Sequence, residues 1–419
     1  MDLFTEQNRI KVLEDLFTAY YDARKHKRNT VNALVFERNF ESNLFELCDD
    51  ILERRYKPRP SICFVVTKPV KREVFAADFR DRVIHHFIYN YVSPLFERHF
   101  VNDSYSCRKG KGIHYGVKRA DHFIRSCSGN YTRDCYILKL DIKGYFMSMN
   151  RKVLYEKVKQ VLLREPGKID FDLPLVMYLI EETIFNDPTV GCRQKGKNAD
   201  WEGLPPSKSL FHTKKNCGLP IGNLTSQLFG NVYMNDFDHY VKQELKMKHY
   251  GRYVDDIIMV HEDREYLKLV VGMVRERLLR EEKLILHPNK VYLQHYTKGV
   301  AFIGAFIKKR RIYILNRTKG NFYASVFKYN KMVEHGKPSA DEIKEFICSM
   351  NSYLGLMKHY ATYNIRKKMV FEFLEKEWWQ YVYLEGKIEK FVMKKNIEGV
   401  PEEEGSCEAV NEAVAEFKK

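Results

Sequence analysis

The sequence has no CxxC pair, and its nine cysteines are an odd, scattered set. That excludes a disulfide framework and a cysteine-based zinc site. Fourteen histidines include neither HExxH nor zinc-finger spacing, so no structural zinc is expected. Apolar runs long enough to cross a bilayer are missing. The opening MDLFTEQNRIKVLEDLF has neither the basic head, the apolar stretch nor the small-residue cleavage site of a secretion signal. An intracellular protein with no membrane partner is therefore expected. No internal period of repetition is visible.

What is present is a chain of 419 residues, 44% hydrophobic and 14% aromatic, enough for two or three cooperating subdomains. Lys and Arg number 71 against 55 acids, a net charge of +16. Residues 401–419 hold six Glu and two Lys, so the first 400 residues carry +20. A basic body of that size suits a polyanionic partner, nucleic acid or an anionic surface.

Residues 1–57 show helical periodicity (Ile10, Leu13, Leu16, Phe17; Leu44, Leu47, Ile51, Leu52), ended by Pro58 and Pro60. Between 61 and 134 come a β-rich run, a basic loop, a helix and a glycine-rich basic turn. Residues 164–216, with Pro166, Pro174, Pro188, Pro205 and Pro206, read as a loop-rich insertion. Gly191, Gly196 and Lys197 satisfy GxxxxGK, but Asn198 stands where Ser or Thr is required and no buried strand precedes, so a phosphate-binding loop is not expected.

The chemistry is carried by carboxylates in apolar settings. CYILKLDIKGYF (135–146) alternates as a strand with Asp141 near its end, and GRYVDDIIMV (251–260) places Asp255 and Asp256 between β-formers, which suits a hairpin tip. Adjacent carboxylates there are costly unless cations neutralise them, and magnesium is the natural cation for oxygen ligands beside a phosphate. If Asp141 and Asp255 meet, two ions about 3.5 to 4 Å apart can clamp both oxygens of a phosphoryl transfer. The bland alternative is a solvated turn at 255–256 and a capping Asp141. In GLPIGNLTSQLFGNVYMNDFDHYV (218–241) a Gly-Pro turn leads to a helix with Leu224, Leu228, Val232, Phe237 and Val241 inward, Asn223 as N-cap, and Gly222 letting backbone approach a flat ligand.

The ordered set DIKGYF, GLPIGNLTSQ, YVDD, LHPNK and VAFIGAFI resembles the palm of a reverse transcriptase over roughly residues 58–370. PIGNLTSQ, and NSYLGLMKHY (351–360) with it, are most similar to reverse transcriptases of diversity-generating retroelements, relatives of the group II intron and retron enzymes, which copy a template RNA with errors at adenines. The resemblance implies an α+β right-hand polymerase with fingers (58–134), a palm of antiparallel sheet packed on helices (135–310), a helical thumb (311–395), an N-terminal helical segment and an acidic mobile tail (396–419).

It also implies roles. Asp141, Asp255 and Asp256 would be essential, holding two Mg2+ ions with the Ile142 carbonyl. Phe146 falls where the family blocks a ribose 2′-hydroxyl, its bland role being core packing. Lys68 and Arg72 match the fingers positions that hold the triphosphate of a deoxynucleotide, with Lys71 competing with Lys68. Lys290 matches the lysine near the departing pyrophosphate. Gln227 falls among the primer- and template-binding positions, and Phe302 and Gly304 resemble the hairpin that grips the primer, although periodicity alone reads FIGAFI as a buried strand. Where many relatives carry glutamine this chain has Ile221, which offers no hydrogen bond and is expected to loosen selection opposite adenine.

Template RNA and the RNA–DNA hybrid are expected along Arg108, Lys109, Lys111, Lys118 and Arg119 with Tyr105 and Tyr115 for stacking, or these form a solvated basic loop. A thumb helix over 351–369 is expected with Leu354, Met357 and Ala361 inward and Lys358, His359, Arg366, Lys367 and Lys368 toward the duplex. A small basic accessory protein and a cytoplasmic setting in a bacterium or phage host are further implications. The rival readings are another bacterial reverse transcriptase (group II intron, retron or abortive-infection type) and a non-catalytic RNA-binding scaffold.

Overall fold

The computed structural model describes residues 3–25, 27, 30–67, 70–164 and 166–394; Lys68 and the acidic stretch 396–419 lie outside the described residues. The chain begins with helices α1 (Leu3–Arg24), α2 (Val31–Glu37) and α3 (Phe40–Leu52), then strands β1 (Ile62–Val66) and β2 (Arg72–Ala76). Helices α4 (Phe79–His99) and α5 (Ile113–Cys127) lead to β3 (Tyr136–Asp141), a short α6 (Tyr145–Ser148), α7 (Arg151–Leu163) and α8 (Leu173–Phe185). After β4 (Arg193–Gln194) come α9 (Leu224–Tyr233), α10 (Asn235–His239), β5 (His249–Tyr253), β6 (Asp256–His261) and α11 (Arg264–Arg280). Strands β7 (Tyr292–His295), β8 (Val300–Phe302), β9 (Ala305–Lys308) and β10 (Arg311–Ile314) precede α12 (Asn316–Glu334), α13 (Ala340–Met357), α14 (Tyr363–Lys368), β11 (Val382–Glu385) and β12 (Lys390–Met393). The fold class is α+β, and among the described residues no helix is long and apolar enough to cross a membrane.

Two compact units are distinguishable. The first comprises residues 1–109, 138–259 and 263–292. Here α4 is buried along most of its length, touching α1 on one side and α9 on another, with Asp78 capping its start through the Arg80 amide. β1 pairs antiparallel with β2 (Ile62 opposite Ala76), and β4 adds in parallel on its other edge (Ile62 opposite Arg193). In a second sheet β6 lies between β5 and β3.

The stretch 164–216 is more ordered than its prolines suggest. Pro174 sits in the first turn of α8, where a missing N–H costs nothing, and Asp172 caps that helix through the Leu175 amide. The segment therefore supplies a three-turn helix and a strand. Helix α9 also departs from expectation. It is buried on nearly every face rather than amphipathic, with Leu228 and Val232 inside but Leu224 only half-buried.

The second unit comprises residues 110–137, 260–262 and 293–419. Helices α12 and α13 and the β11–β12 hairpin enclose a core in which Trp378 stacks on Phe346 with ring centres 3.9 Å apart. The Trp378 indole N–H donates to the Tyr329 carbonyl (3.2 Å), so its one polar atom is satisfied. FIGAFI is a hairpin rather than one strand: β8 and β9 pair antiparallel across Ile303 and Gly304, both at positive φ (35° and 88°). The expected helix over 351–369 breaks after Met357. Thr362 closes that end by donating to the Met357 carbonyl (2.6 Å), and Ala361 is exposed.

Truncating Trp378 to Ala removes the largest ring of this core, and we expect a loss of about 3 to 5 kcal/mol. Urea unfolding followed by the circular dichroism of the full chain would measure it.

Candidate active site

The three acids come together because two strands that are distant in sequence are neighbours in one sheet. Asp141 ends β3, and Asp256 begins the adjacent β6. Asp255 lies in the two-residue turn between β5 and β6. That turn is strained: Val254, β-branched, sits at φ 56°, a region such residues avoid.

A buried ion pair holds the turn. Arg252, on β5, places its guanidinium against Asp238 of α10 through Nε (2.7 Å) and Nη2 (2.6 Å), both side chains being fully buried. Its Nη1 reaches past the strand to donate to the Val254 carbonyl (3.1 Å). The Tyr250 hydroxyl donates to the same Asp238 carboxylate. Outside β5 runs the segment 103–105: the Tyr105 amide donates to the Arg252 carbonyl (2.9 Å), and the Arg252 amide to the Asp103 carbonyl (2.8 Å). Gly251 is required here, since a Cβ would lie 2.2 Å from the Tyr105 hydroxyl.

The electrostatics record the proximity. Burial first, then the charges of Asp256 and Asp141, push the Asp255 carboxyl up to about 7, while the Arg72 guanidinium pulls the other way. Lysines meet the other two acids, Lys290 Nζ lying 2.8 Å from Asp141 Oδ2 and Lys139 Nζ 2.9 Å from Asp256 Oδ1. The Asp141 carbonyl accepts from the His287 amide and the Lys143 amide donates to the Ile285 carbonyl, so the Ile142 carbonyl between them is turned away from that segment. Among the described residues no three His, Cys, Asp or Glu side chains close into a ready metal cage. The donors that do converge are all hard oxygens, which fits magnesium shared with substrate phosphates.

Around this centre, Arg72 is exposed on β2, and the Lys71 amino group is held by the Glu202 carbonyl (2.5 Å). Phe146 and Ile221 pack, half-buried, on one small cluster of Cys63, Phe75, Met147 and Leu210. The Ile221 carbonyl accepts from the Phe75 amide (3.0 Å). Gly222, at φ 119°, is needed because β2 itself comes close: a Cβ would lie 2.9 Å from Val74 Cγ1. Asn223 precedes α9 but does not cap it; its side chain accepts from the Ala77 amide instead (3.3 Å). Gln227 is half-buried on the same helix.

The expected nucleic-acid residues divide. Lys109 is exposed, and Lys111 lies 5.8 Å from the Tyr115 ring centre. Tyr105 is fully buried against Gly251 and cannot stack on a base. The Arg108 guanidinium, 6% exposed, is held by Glu97 and the Val101 and Ser104 carbonyls, which directs it into the protein rather than toward a phosphate. In the second unit, Phe302 is buried beside the hairpin tip at Gly304. Lys358 is exposed, 3.6 Å from Glu389. The His359 ring lies 3.8 Å from that of His114. Arg366 is buried, donating to the Lys387 and Ile388 carbonyls, so only Lys367 and Lys368 of that trio remain exposed.

Sequence reasoning missed Arg252, Asp238, Lys139 and Glu73. For the first two a signal existed: GRYVDD places an unbroken β-run around an arginine, which then needs a buried acid.

Acids at the end of one strand and at the tip of a neighbouring hairpin are the donor set that a nucleotidyl-transfer site needs. The family model "Reverse transcriptase (RNA-dependent DNA polymerase)" matches residues 71–307, more than half the chain, and the protein belongs to that family of RNA-directed DNA polymerases. It is similar to protein YkfC of Escherichia coli K12, 23% identical over 321 residues, covering 68% of this chain and 76% of that one. Among solved structures, a truncated apo telomerase from Candida tropicalis matches 66% of this chain and 60% of its own (12% identity, TM-score 0.44). A Candida albicans telomerase in complex with a fragment of telomeric RNA matches 83% of this chain and 68% of its own (10% identity, TM-score 0.44).

Asp238→Asn removes the charge that balances buried Arg252, and we expect a loss of about 3 to 5 kcal/mol, the cost of stranding one partner of a buried pair. Thermal unfolding of the variant beside the parent would read it. A change below about 0.5 kcal/mol would contradict the role given to this pair.

Proposed function

We propose that this chain copies a template RNA into cDNA as the error-prone polymerase of a diversity-generating retroelement. The convergence of Asp141, Asp255 and Asp256 carries the catalytic part of this reading. The PIGNLTSQ segment, with Ile221 against Phe75, favours the subtype.

In the reaction, a primer 3′-hydroxyl oxygen attacks the α-phosphorus of a deoxynucleoside triphosphate. The new P–O bond forms as the α–β bridging bond breaks, and pyrophosphate leaves. Asp141, Asp255, the Ile142 carbonyl and, electrostatically, Asp256 are the groups that would hold two magnesium ions. When bound, those ions would supply charge for the attacking and leaving oxygens. Arg72 offers a guanidinium fork to triphosphate oxygens, and Lys68 is proposed for the same role. Lys290, exposed and 2.8 Å from Asp141, would neutralise or protonate the departing pyrophosphate. Phe146 blocks a ribose 2′-hydroxyl, and Ile221 and Gly222 form the floor on which the base pair is judged. Gln227 and Lys109 of the first unit, and Lys111, Tyr115, Phe302, Gly304, Lys358 and His359 of the second, are each proposed to meet template or primer, where phosphate contacts dominate and salt weakens binding. A template-repeat RNA and a small basic accessory protein complete the proposal.

Primer extension on an RNA template with magnesium is the test. Asp255→Ala should abolish incorporation while leaving RNA binding within about twofold, because it removes charge stabilisation and no phosphate contact. A parent protein that binds RNA yet incorporates nothing would instead be the scaffold. On the same template, Ile221→Gln should lower misincorporation opposite adenine by about tenfold. An unchanged adenine error rate would leave a polymerase of another bacterial subtype.

A further inference from the structure

Glu73 is a fully buried carboxylate on β2, adjacent to Arg72 and used by no step above. A charge at such a position is stable only when its oxygens are satisfied. It accepts three hydrogen bonds, all from the stretch between the DIKGYF and PIGN motifs: the Trp201 indole N–H (2.8 Å), the Ser209 hydroxyl (3.0 Å) and the Leu210 amide (2.7 Å).

What those bonds fix is a surface. Leu210 belongs to the four-residue cluster on which Phe146 and Ile221 pack, and Trp201 lies against the same cluster. The segment also closes on the loop after β3, where a Cβ at Gly144 would lie 3.3 Å from the Ser207 carbonyl oxygen. Phe211 continues the contact, its ring 5.6 Å from that of Phe75. Sequence position would call 198–211 an outlying loop, yet the structure lays it behind the two side chains expected to choose the nucleotide.

We propose that Glu73 is a positioning residue for substrate selection. By holding Trp201 and Leu210, it sets where Phe146 and Ile221 stand, so the 198–211 segment is the outer wall of the nucleotide pocket. The inference rests on the nucleotide-pocket reading above. Its mechanism is mechanical. Loosening the wall by a few tenths of an ångström lets the Phe146 ring retreat from a ribose 2′-hydroxyl, with no change at the carboxylates that assist the chemistry.

The test measures kcat/KM for a deoxynucleotide and for the matching ribonucleotide on one RNA template and primer, in the parent, Glu73→Gln and Trp201→Phe. Trp201→Phe keeps a ring and deletes one donor; it is only partly buried, so it serves if Glu73→Gln fails to fold. The ratio of the two constants on one preparation cancels the folded fraction, so a loss of stability alone cannot move it. We expect the deoxy-over-ribo preference to fall about fivefold, with the deoxynucleotide KM raised and kcat at saturation within about twofold. A ratio within about twofold of the parent, while the parent extends primers, overturns the wall and leaves the polymerase reading standing. A parent that extends no primer overturns both.

Discussion

The site depends on the pair formed by Arg252 and Asp238. Burying two charges without solvent is costly, and here the cost is offset by complete satisfaction: two bonds between the partners, one from Tyr250, and one onward to the Val254 carbonyl. That last bond is the functional one. It fixes a turn whose central valine has an unfavourable backbone, and Asp255 is the next residue along. Helix α10, which carries Asp238, thus determines the position of an acid on a different element, and the strained turn is held by the buried pair beneath it.

Charge is organised in layers around that pair. Below the hairpin, arginine and aspartate are closed off from solvent. At its rim, Lys139 and Lys290 each stand within hydrogen-bond distance of an acid and remain partly exposed. The chain as a whole carries a net charge of +16, which suits a polyanion. Burial, and after it the neighbouring carboxylates, raise Asp255 above the usual carboxylate range.

Much of this was legible. Alternation in CYILKLD and the β-formers on both sides of YVDD predict the two strands and the hairpin, because both signals are local. The resemblance of five ordered motifs pointed to the family that the chain belongs to. What was not legible depended on partners far along the chain. Asn223 has the right residue type for a cap but finds a donor in Ala77. Arg366 and Arg108 look like surface cations, yet backbone carbonyls and Glu97 draw them inward. Tyr105 reads as a stacking platform and is a packing residue. Prolines at 164–216 suggest breakers, yet Pro174 starts a helix. Composition cannot distinguish these cases, since each is decided by which hydrogen-bond partner the tertiary fold brings near.

Gly251 and Tyr105 show how far such dependence reaches. The phenol occupies the volume that any side chain at 251 would need, one residue ahead of the arginine that steadies the acids. Growth at one position is tolerable only alongside shrinkage at the other. The order of change is therefore constrained: shrinking Tyr105 first leaves a void that a later step can fill, whereas enlarging residue 251 first forces aside either the phenol or the strand that carries Arg252.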